Sequence, residues 1–306
     1  MPIIEEHVVE EEGLRLDRWA VENFSNLPSR ASARKACKRG DILLNGAPAE
    51  TSRFVRIGDR VSLAESESLR PICEVALQVV YRDPELAVVY KPAGILTNGN
   101  RHRTLEHALP MALGRSSAPG SLLTPRPVHR LDYETTGLVV VARTAGALMQ
   151  LGRAFEARDV HKRYRAILVG RLEGEGEICE PLDGRPAQTR WKVVGWNRSL
   201  KVKWCTTVEL TPCTGRMHQL RRHMLSIGHG ILGDHRYVDG PVYQKNGLFL
   251  SAVALDLPHP TTGDRLILSV AEPRKFSAFR KREQRRWEKW FPACESAAGG
   301  DDVEGG

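Results

Sequence analysis

The apolar positions near the start of the chain predict a small module of two helices and a hairpin. In LRLDRWAVENF, residues 14–24, apolar side chains recur at helical spacing and predict a short amphipathic helix. A second helix is expected to begin at a capping serine, Ser29 or Ser32, and to end at Gly40. DILLNG then reads as a strand entering an Asn-Gly turn, and FVRIGDRVSLA alternates like a hairpin strand. Residues 13–65 are therefore expected to fold as a compact α/β module, called the N-terminal module below.

Short strands dominate the larger, central part of the chain. Residues 66–78 are polar with a proline and predict a linker, and residues 79–275 predict one larger domain. Its strand candidates are rich in β-branched residues: LQVVYRDPELAVVY, GLVVVA, KRYRAILVG, TRWKVVGW, TTVELTP and RLILSV. Strands and helices do not alternate regularly. The predicted fold class is therefore α+β, with a mixed, largely antiparallel sheet and no Rossmann fold.

The last apolar pattern predicts a C-terminal helix. In RKFSAFRKREQRRWEKWF the aromatic side chains share one helical face, and lysine and arginine dominate the other. Over residues 276–291 we expect a helix that docks on the domain by its aromatic side chains, although RNA stacking on those side chains is a second interpretation. Residues 292–306 are small and acidic and are expected to be disordered.

Charge points towards a polyanionic partner. The 306 residues carry a formal net charge of +8, which favours polyanions through Coulomb steering and counterion release. No acidic residue interrupts the second predicted helix, and one half of its circumference is basic. The residues expected to contact RNA or DNA there are Arg30, Arg34, Lys35, Lys38 and Arg39. A merely solvated charged face, the alternative, normally carries both signs.

Several classes of protein lose support from what the sequence lacks. There is no apolar run of the roughly 20 residues that a membrane helix needs, and the acidic first residues do not follow the plan of a signal peptide. We therefore expect a soluble, cytoplasmic protein. We also expect it to be a monomer. The six cysteines form no C-x-x-C pair, and the histidines near residue 220 have no carboxylate at metal-binding spacing. P-loop and G-x-G-x-x-G motifs are missing, so neither a metal nor a nucleotide cofactor is expected.

One carboxylate stands out as a candidate for chemistry. Asp132 lies in HRLDYETTGL, where a turn leads into an apolar strand, and Tyr164 lies near the start of another strand. TPCTGRMHQLRRHM places Arg216 and Arg221 at a turn and helix. A carboxylate facing an arginine in a half-buried cleft stays ionised, and beside an aromatic ring it could attack a flipped-out base. A turn aspartate, a salt-bridged arginine and a packed tyrosine remain the alternative readings.

Five blocks in register resemble the RluA-type family of RNA pseudouridine synthases. HRLDYETTGLVVVA resembles the family's catalytic signature, YKPAG its lysine-proline block and KRYRAILVG its Lys-x-Tyr strand. TGRMHQLRRHM and GHGILGDHRY resemble two later blocks. Residues 13–65 resemble the alpha-L RNA-binding module of a small-subunit ribosomal protein, which often precedes this catalytic domain. The resemblance spans almost the whole chain and implies a pseudouridine synthase domain over residues 79–275.

The resemblance implies that uridine is isomerised to pseudouridine in structured RNA, ribosomal RNA in preference to transfer RNA, without a cofactor. Asp132 would be the nucleophile, attacking either the anomeric carbon of the sugar or the base. Tyr164 would stack on the target base and assist the final proton removal, and Arg221 would pair with Asp132.

The same resemblance implies further contacts with the substrate. Leu220 would pack against the target ring, and Arg130 would help to fill the space that the flipped nucleotide leaves. Arg216 and His129 complete the expected substrate-binding set. The sequence departs from the family pattern at Thr136, where serine is usual, and at Ser251, where histidine is common. Neither departure touches the residues with proposed catalytic roles.

A non-catalytic RNA-binding or ribosome-assembly protein on the same fold is the alternative function. A pure binder has no need of Asp132, because a carboxylate in an RNA-binding cleft repels phosphate. A nucleobase deaminase is the third possibility, but the sequence has no zinc signature of that class.

Overall fold

The computed structural model describes residues 3–64, 73–99, 101–238 and 246–291. The predicted linker at 66–78 therefore lies partly outside the described residues, and the predicted disordered tail at 292–306 lies wholly outside them. The chain divides into two compact units. Unit 1 runs to Tyr164 and takes in Ser251–Val270, and unit 2 consists of Arg165–Leu250 and the described residues from Ala271 onward.

The described residues form helices and short strands in an irregular order, as an α+β fold requires. The helices are α1 (Leu16–Asn23), α2 (Arg30–Arg39), α3 (Leu105–Leu113), α4 (Ala145–Glu156), α5 (Gln219–Ser226) and α6 (Arg274–Trp290). The first strands are β1 (Ile3–Val8), β2 (Ile42–Leu44), β3 (Ala47–Pro48), β4 (Arg60–Ala64), β5 (Gln78–Arg82), β6 (Leu86–Lys91), β7 (Ser121–Pro127) and β8 (Thr136–Thr144). The later strands are β9 (His161–Val169), β10 (Glu175–Ile178), β11 (Thr189–Ser199), β12 (Lys203–Pro212), β13 (Leu250–Pro258) and β14 (Arg265–Ser269).

The N-terminal module contains the two predicted helices and a four-stranded sheet. Ser29 caps α2 by accepting a hydrogen bond from the Ser32 amide, and Gly40 ends the helix with a φ of 77°. Within the sheet the strand order is β1-β4-β2-β3. Because β1 precedes residue 13, this sheet extends beyond the predicted start of the module. A core cluster that includes Trp19 and Phe24 of the predicted apolar face packs beneath it.

The strands of unit 1 outside the module follow the order β13-β8-β6-β5, with β14 paired to β13 and β7 paired to β8. Strands β8 and β13 run parallel, whereas β5–β6, β6–β8 and β13–β14 are antiparallel. All nine residues of β8 are buried, which agrees with the continuous apolar run that follows the Asp132 turn. The prediction of a mixed, largely antiparallel sheet is confirmed.

In unit 2 the strands β10, β11 and β12 form an antiparallel meander. Helix α6 confirms the predicted C-terminal helix and docks by two of its aromatic side chains. Phe276 and Phe279 are buried, and their ring centroids lie 5.2 Å and 5.1 Å from that of Phe249. Buried Glu283 fixes the next turn by accepting a hydrogen bond from the Ser199 hydroxyl at 2.8 Å.

Candidate active site

Asp132 lies on a tight loop between β7 and β8, and buried groups hold the backbone of this loop. The Thr97 hydroxyl donates to the Leu131 carbonyl at 2.9 Å and accepts from the Leu131 amide at 3.0 Å. After Asp132 the loop closes on itself, since the Thr135 amide donates to the Asp132 carbonyl at 3.1 Å. The Asp132 side chain is half-buried. A carboxylate in this position is accessible, but its backbone has little freedom to move.

Lys91 stabilises the backbone of the Asp132 loop. Its side chain is fully buried, and its ammonium donates to the carbonyl oxygens of Pro92 at 3.0 Å and Tyr133 at 3.4 Å. The Tyr133 carbonyl also accepts from the Gly94 amide at 2.9 Å. Burial lowers the pKa of Lys91 to about 8, and the negative charge of Asp132 opposes that fall. Lys91 therefore places a buried cation near the carboxylate of Asp132.

The glycine of the Thr-Thr-Gly turn fixes where β8 begins. Gly137 has a φ of +120°, and it pairs with Ala252 of the parallel strand β13. A Cβ atom at residue 137 would overlap the carbonyl oxygen and amide nitrogen of Ala252. Only glycine allows the two backbones to approach this closely. Asp132 therefore precedes a strand whose register is set by backbone contact.

Tyr164 of β9 belongs to the same local constellation. Its side chain is buried, and burial together with the charge of Asp132 raises the pKa of its hydroxyl above the usual value near 10. The phenol is therefore protonated at neutral pH. The structure thus brings three groups into one electrostatic neighbourhood: Asp132, Lys91 and Tyr164.

His129 and Arg130 precede the loop and face different surroundings. The His129 ring packs on Phe155 with centroids 4.8 Å apart, and its Nε2 accepts a hydrogen bond from the Val140 amide at 3.0 Å. Burial and the nearby charge of Lys162 lower the pKa of His129 to about 3, so its imidazole is neutral. These contacts anchor the loop entrance to β8. Arg130, by contrast, is exposed, and this exposure is compatible with its predicted contact to a nucleotide.

The other residues predicted to contact the target nucleotide lie in unit 2, around the start of α5. Arg221 is buried and forms a two-pronged ion pair with Asp234, with Nε–Oδ2 and Nη2–Oδ1 distances of 2.7 Å and 2.6 Å. Leu220 is also buried, and Arg216 is half-buried with its Nε donating to the Pro186 carbonyl at 3.0 Å. The predicted pairing of Arg221 with Asp132 stays a prediction.

Asp234 was not singled out from the sequence, although GHGILGDHRY contains it. Its carboxylate accepts two hydrogen bonds from Arg221 and two more from the amides of Arg236 and Tyr237. Burial alone would raise the pKa of Asp234, but the hydrogen bonds and the charge of Arg221 outweigh it and lower the pKa. The guanidinium of Arg221 is consequently held in one orientation by a two-pronged ion pair.

The five predicted RNA-binding residues of α2 differ in how far acidic neighbours neutralise them. Arg30 and Arg34 both donate to the buried carboxylate of Asp17, at 3.2 Å and 2.7 Å. Arg39 donates to buried Asp41 at 2.7 Å. Burial would raise the pKa of Asp17, yet the hydrogen bonds and charges of Arg34 and Arg30 keep it low. The remaining two, Lys35 and Lys38, are exposed.

In the part of the chain that the structure describes, no group of three or more His, Cys, Asp or Glu side chains is placed to hold a metal ion. Nor does any described helix have the length and apolar character needed to cross a membrane.

Asp132 therefore lies on a loop within electrostatic range of a buried lysine and a buried tyrosine. Residues 85–226 match the family model described as RNA pseudouridylate synthase. Ribosomal large subunit pseudouridine synthase D of Nitrosomonas europaea is 30% identical over 297 residues, which cover 87% of this chain and 83% of that protein. The dual-specificity RNA pseudouridine synthase RluA of Haemophilus influenzae is 36% identical over 214 residues, 65% of this chain and 95% of that protein.

Solved structures agree with the sequence relatives. Human RNA Pseudouridylate Synthase Domain Containing 1 superposes with a TM-score of 0.55 at 26% identity, covering 65% of this chain and 84% of that one. The chain belongs to the RluA-type family of RNA pseudouridine synthases, which are isomerases.

Proposed function

We propose that this chain isomerises uridine to pseudouridine in structured ribosomal RNA, with Asp132 as the nucleophile. The observation that carries the proposal is the half-buried carboxylate of Asp132 on a loop clamped by Thr97 and supported by the buried ammonium of Lys91. Such a carboxylate is held for attack, since its backbone does not have to reorganise when the substrate arrives.

The proposed reaction is balanced without a cofactor. The Asp132 carboxylate adds either to the anomeric carbon C1′ or to the uracil ring, and the bond between N1 and C1′ breaks. After the uracil has rotated, a bond forms between C5 and C1′, the C5 proton leaves to water, and N1 gains a proton. Asp132 is regenerated, and no electron is gained or lost overall.

Tyr164 is proposed to act as the platform for the base and, late in the reaction, to assist removal of the C5 proton. Burial and the charge of Asp132 both raise the pKa of Tyr164 in the resting protein, and both oppose a phenolate. If Asp132 adds to the uracil ring, its charge is absent while that bond lasts, and one of these two causes is then removed when the C5 proton leaves. If Asp132 adds to C1′ instead, formation of the bond between C5 and C1′ releases its carboxylate first, and both causes still act on Tyr164.

Binding of the RNA is proposed to involve the Asp132 loop, the start of α5 and the basic face of α2. Exposed Arg130 would occupy the space left by the flipped nucleotide, and Leu220, Arg216 and the oriented guanidinium of Arg221 would contact the target. The basic face of α2 would contact backbone phosphates. Because Asp17 and Asp41 partly neutralise its arginines, we assign the larger share of that contact to Lys35 and Lys38.

Ribosomal RNA is the proposed substrate because relatives matched over most of this chain are named for the large ribosomal subunit. A relative named dual-specificity covers a smaller share of the chain, and transfer RNA is therefore the second candidate. We propose that the enzyme acts in the cytoplasm and as a monomer.

The test compares the wild-type chain with Asp132→Asn, which preserves the size and polarity of the side chain. Turnover is followed by release of tritium from C5 of uridine, and RNA affinity by filter binding. We expect turnover to fall by about 10⁴-fold or more, while the dissociation constant stays within about twofold. Appreciable turnover by the variant would remove Asp132 from the nucleophile role.

A further inference from the structure

Aromatic rings and guanidinium groups alternate across one surface of unit 2, which we call the Trp–Arg stack. It comprises Trp196, Arg171, Trp204, Arg198 and Trp287. The Arg171 guanidinium carbon lies 5.6 Å from the centroid of the Trp196 ring and 4.9 Å from that of Trp204. Arg198 lies 3.7 Å from the Trp204 centroid and 4.8 Å from that of Trp287. A cation over an aromatic face at these distances is attracted to the ring.

The strand register explains how the stack assembles. In the β11–β12 hairpin Arg198 is paired with Trp204, and Trp196 with Thr206, so Trp196, Arg198 and Trp204 share one face. The Trp196 indole is fixed because its Nε1 donates to the Leu172 carbonyl at 2.7 Å. Its ring is therefore a preorganised surface.

Helix α6 adds rings beyond those that its docking requires. Its buried residues Phe276, Phe279 and Glu283 lie on one face, and the helical period continues that face to Trp287 and Trp290. Trp290 is nevertheless 70% exposed. Phe291, which stacks on Trp287 with centroids 4.3 Å apart, is 55% exposed, and Trp196 is 47% exposed. Three aromatic side chains at the stack therefore offer surface that the described residues of unit 2 do not cover.

The charge of α6 has one dominant sign. Helix α6 contains eight lysines and arginines against two glutamates. Lys281, Arg285 and Lys289 follow at intervals of four residues, and all three are exposed. One of the two glutamates, Glu283, is buried and faces Ser199 and Arg282. The solvent-facing charge of this helix is consequently almost entirely positive.

We propose that the Trp–Arg stack, with Trp290, Phe291 and the exposed cations of α6, binds an unpaired segment of the RNA substrate away from the target uridine. Exposed rings offer stacking faces to unpaired bases, and the positive charge of α6 attracts the phosphates. A duplex would not suit this surface, because its bases are already stacked on each other. This inference rests on the proposed function, which supplies the identity of the RNA. The chemistry of the surface does not depend on the proposed function.

A membrane surface fits the same observations less well. An interfacial helix buries a whole apolar face in the lipid, whereas most of that face of α6 is already buried within unit 2. Only Trp290 and Phe291 at the end of the helix would remain for the lipid.

The experiment uses the full chain and a labelled, unstructured oligouridylate of about 12 nucleotides, a length within the usual range of single-strand sites. The double variant Trp290→Leu/Phe291→Leu keeps the apolar side chains but removes both stacking faces. Trp290→Phe keeps a ring, and Ile267→Ala is the matched control for loss of an exposed apolar side chain, since Ile267 is 69% exposed on β14. Circular dichroism and thermal unfolding verify that each variant is folded.

We expect the double variant to raise the dissociation constant at least about tenfold, because each base–ring stack contributes about 1–3 kcal/mol. Trp290→Phe and Ile267→Ala should stay within about twofold of the wild type. Replacing Lys281, Arg285 and Lys289 by Gln should flatten the slope of log affinity against log salt by about 2. The inference is overturned if the double variant binds like the wild type or if Ile267→Ala loses as much affinity. If the wild type binds vesicles containing phosphatidylserine as tightly as it binds the oligouridylate, and the double variant loses the vesicle binding, the inference is overturned in favour of a membrane surface.

Turnover separates this inference from the proposed function. If wild type releases tritium, Asp132→Asn does not, and the double variant binds RNA normally, the stack proposal fails alone. If no turnover occurs but the double variant loses single-strand affinity, the proposed reaction fails and the RNA-binding surface stands.

Discussion

The buried ammonium of Lys91 makes the stability of the protein depend on pH in a direction that can be measured. The pKa of Lys91 falls from its ordinary value of 10.5 to about 8 in the folded protein. At 1.36 kcal/mol per pKa unit, this difference corresponds to about 3 kcal/mol. Between pH 8 and pH 10.5 the unfolded chain binds more protons at this residue than the folded chain. Its contribution to the free energy of unfolding therefore rises with pH across that window and is constant below it.

The perturbation that isolates this contribution is Lys91→Met, which keeps the length of the side chain and removes its charge. Urea unfolding is measured for the wild type and the variant from pH 7 to pH 10.5, and the two free energies are subtracted at each pH. The difference should rise by about 3 kcal/mol towards high pH. Lys281→Met, an exposed control, should give a flat difference against the wild type. A flat difference for Lys91→Met as well would refute the placement of a buried ammonium beneath the loop.

The same titration tests whether Lys91 senses Asp132. The negative charge of Asp132 raises the pKa of Lys91. In an Asp132→Asn background the pKa of Lys91 should therefore fall further, and the rise in the difference curve should begin at a lower pH. An unshifted onset would mean that the two groups are not electrostatically coupled.

Three other variants test separate parts of the account. Gly137→Ala should destabilise the protein by about 3 kcal/mol or more in urea unfolding, because the new Cβ would overlap the Ala252 backbone. An unfolding midpoint like that of the wild type would contradict the close approach of β8 and β13. Thr97→Val should lower the free energy of unfolding by about 2 kcal/mol and lower turnover, because the amide and carbonyl of Leu131 lose their hydrogen bonds to the Thr97 hydroxyl. Unchanged stability would contradict a role of these hydrogen bonds in holding the loop. The double variant Lys35→Gln/Lys38→Gln should reduce the slope of log RNA affinity against log salt by about 1.5 without changing the melting temperature. An unchanged slope would mean that the basic face of α2 is only solvated.

Local features of the fold were predictable because they depend on neighbouring residues. The cap at Ser29 and the stop at Gly40 are short-range effects, and both occur as expected. The apolar run after the Asp132 turn was predicted to be a strand, and β8 is a buried strand. The division of the chain into an N-terminal module, a linker and a catalytic domain remains a prediction.

The support of the candidate site was not predictable, because it comes from residues far apart in the sequence. Lys91 contacts the carbonyl of Tyr133, and Thr97 holds Leu131. No periodicity in the chain indicates these contacts, although YKPAG marked the segment that contains Lys91.

The charge of α2 shows the same limit. Its own sequence lacks acidic residues, and that suggested a freely available basic face. The packing of α1 against α2 brings buried Asp17 to Arg30 and Arg34. The sequence of neither helix alone predicts that contact.

Release of tritium from uridine labelled at C5 tests the central claim most directly. Ribosomal and transfer RNA from cells are labelled, separated and incubated with the wild-type chain. We predict release from ribosomal RNA, because forming the bond between C5 and C1′ expels the C5 hydrogen. No release from either pool, despite RNA binding, would contradict the proposed isomerisation, and release from transfer RNA alone would contradict the proposed substrate.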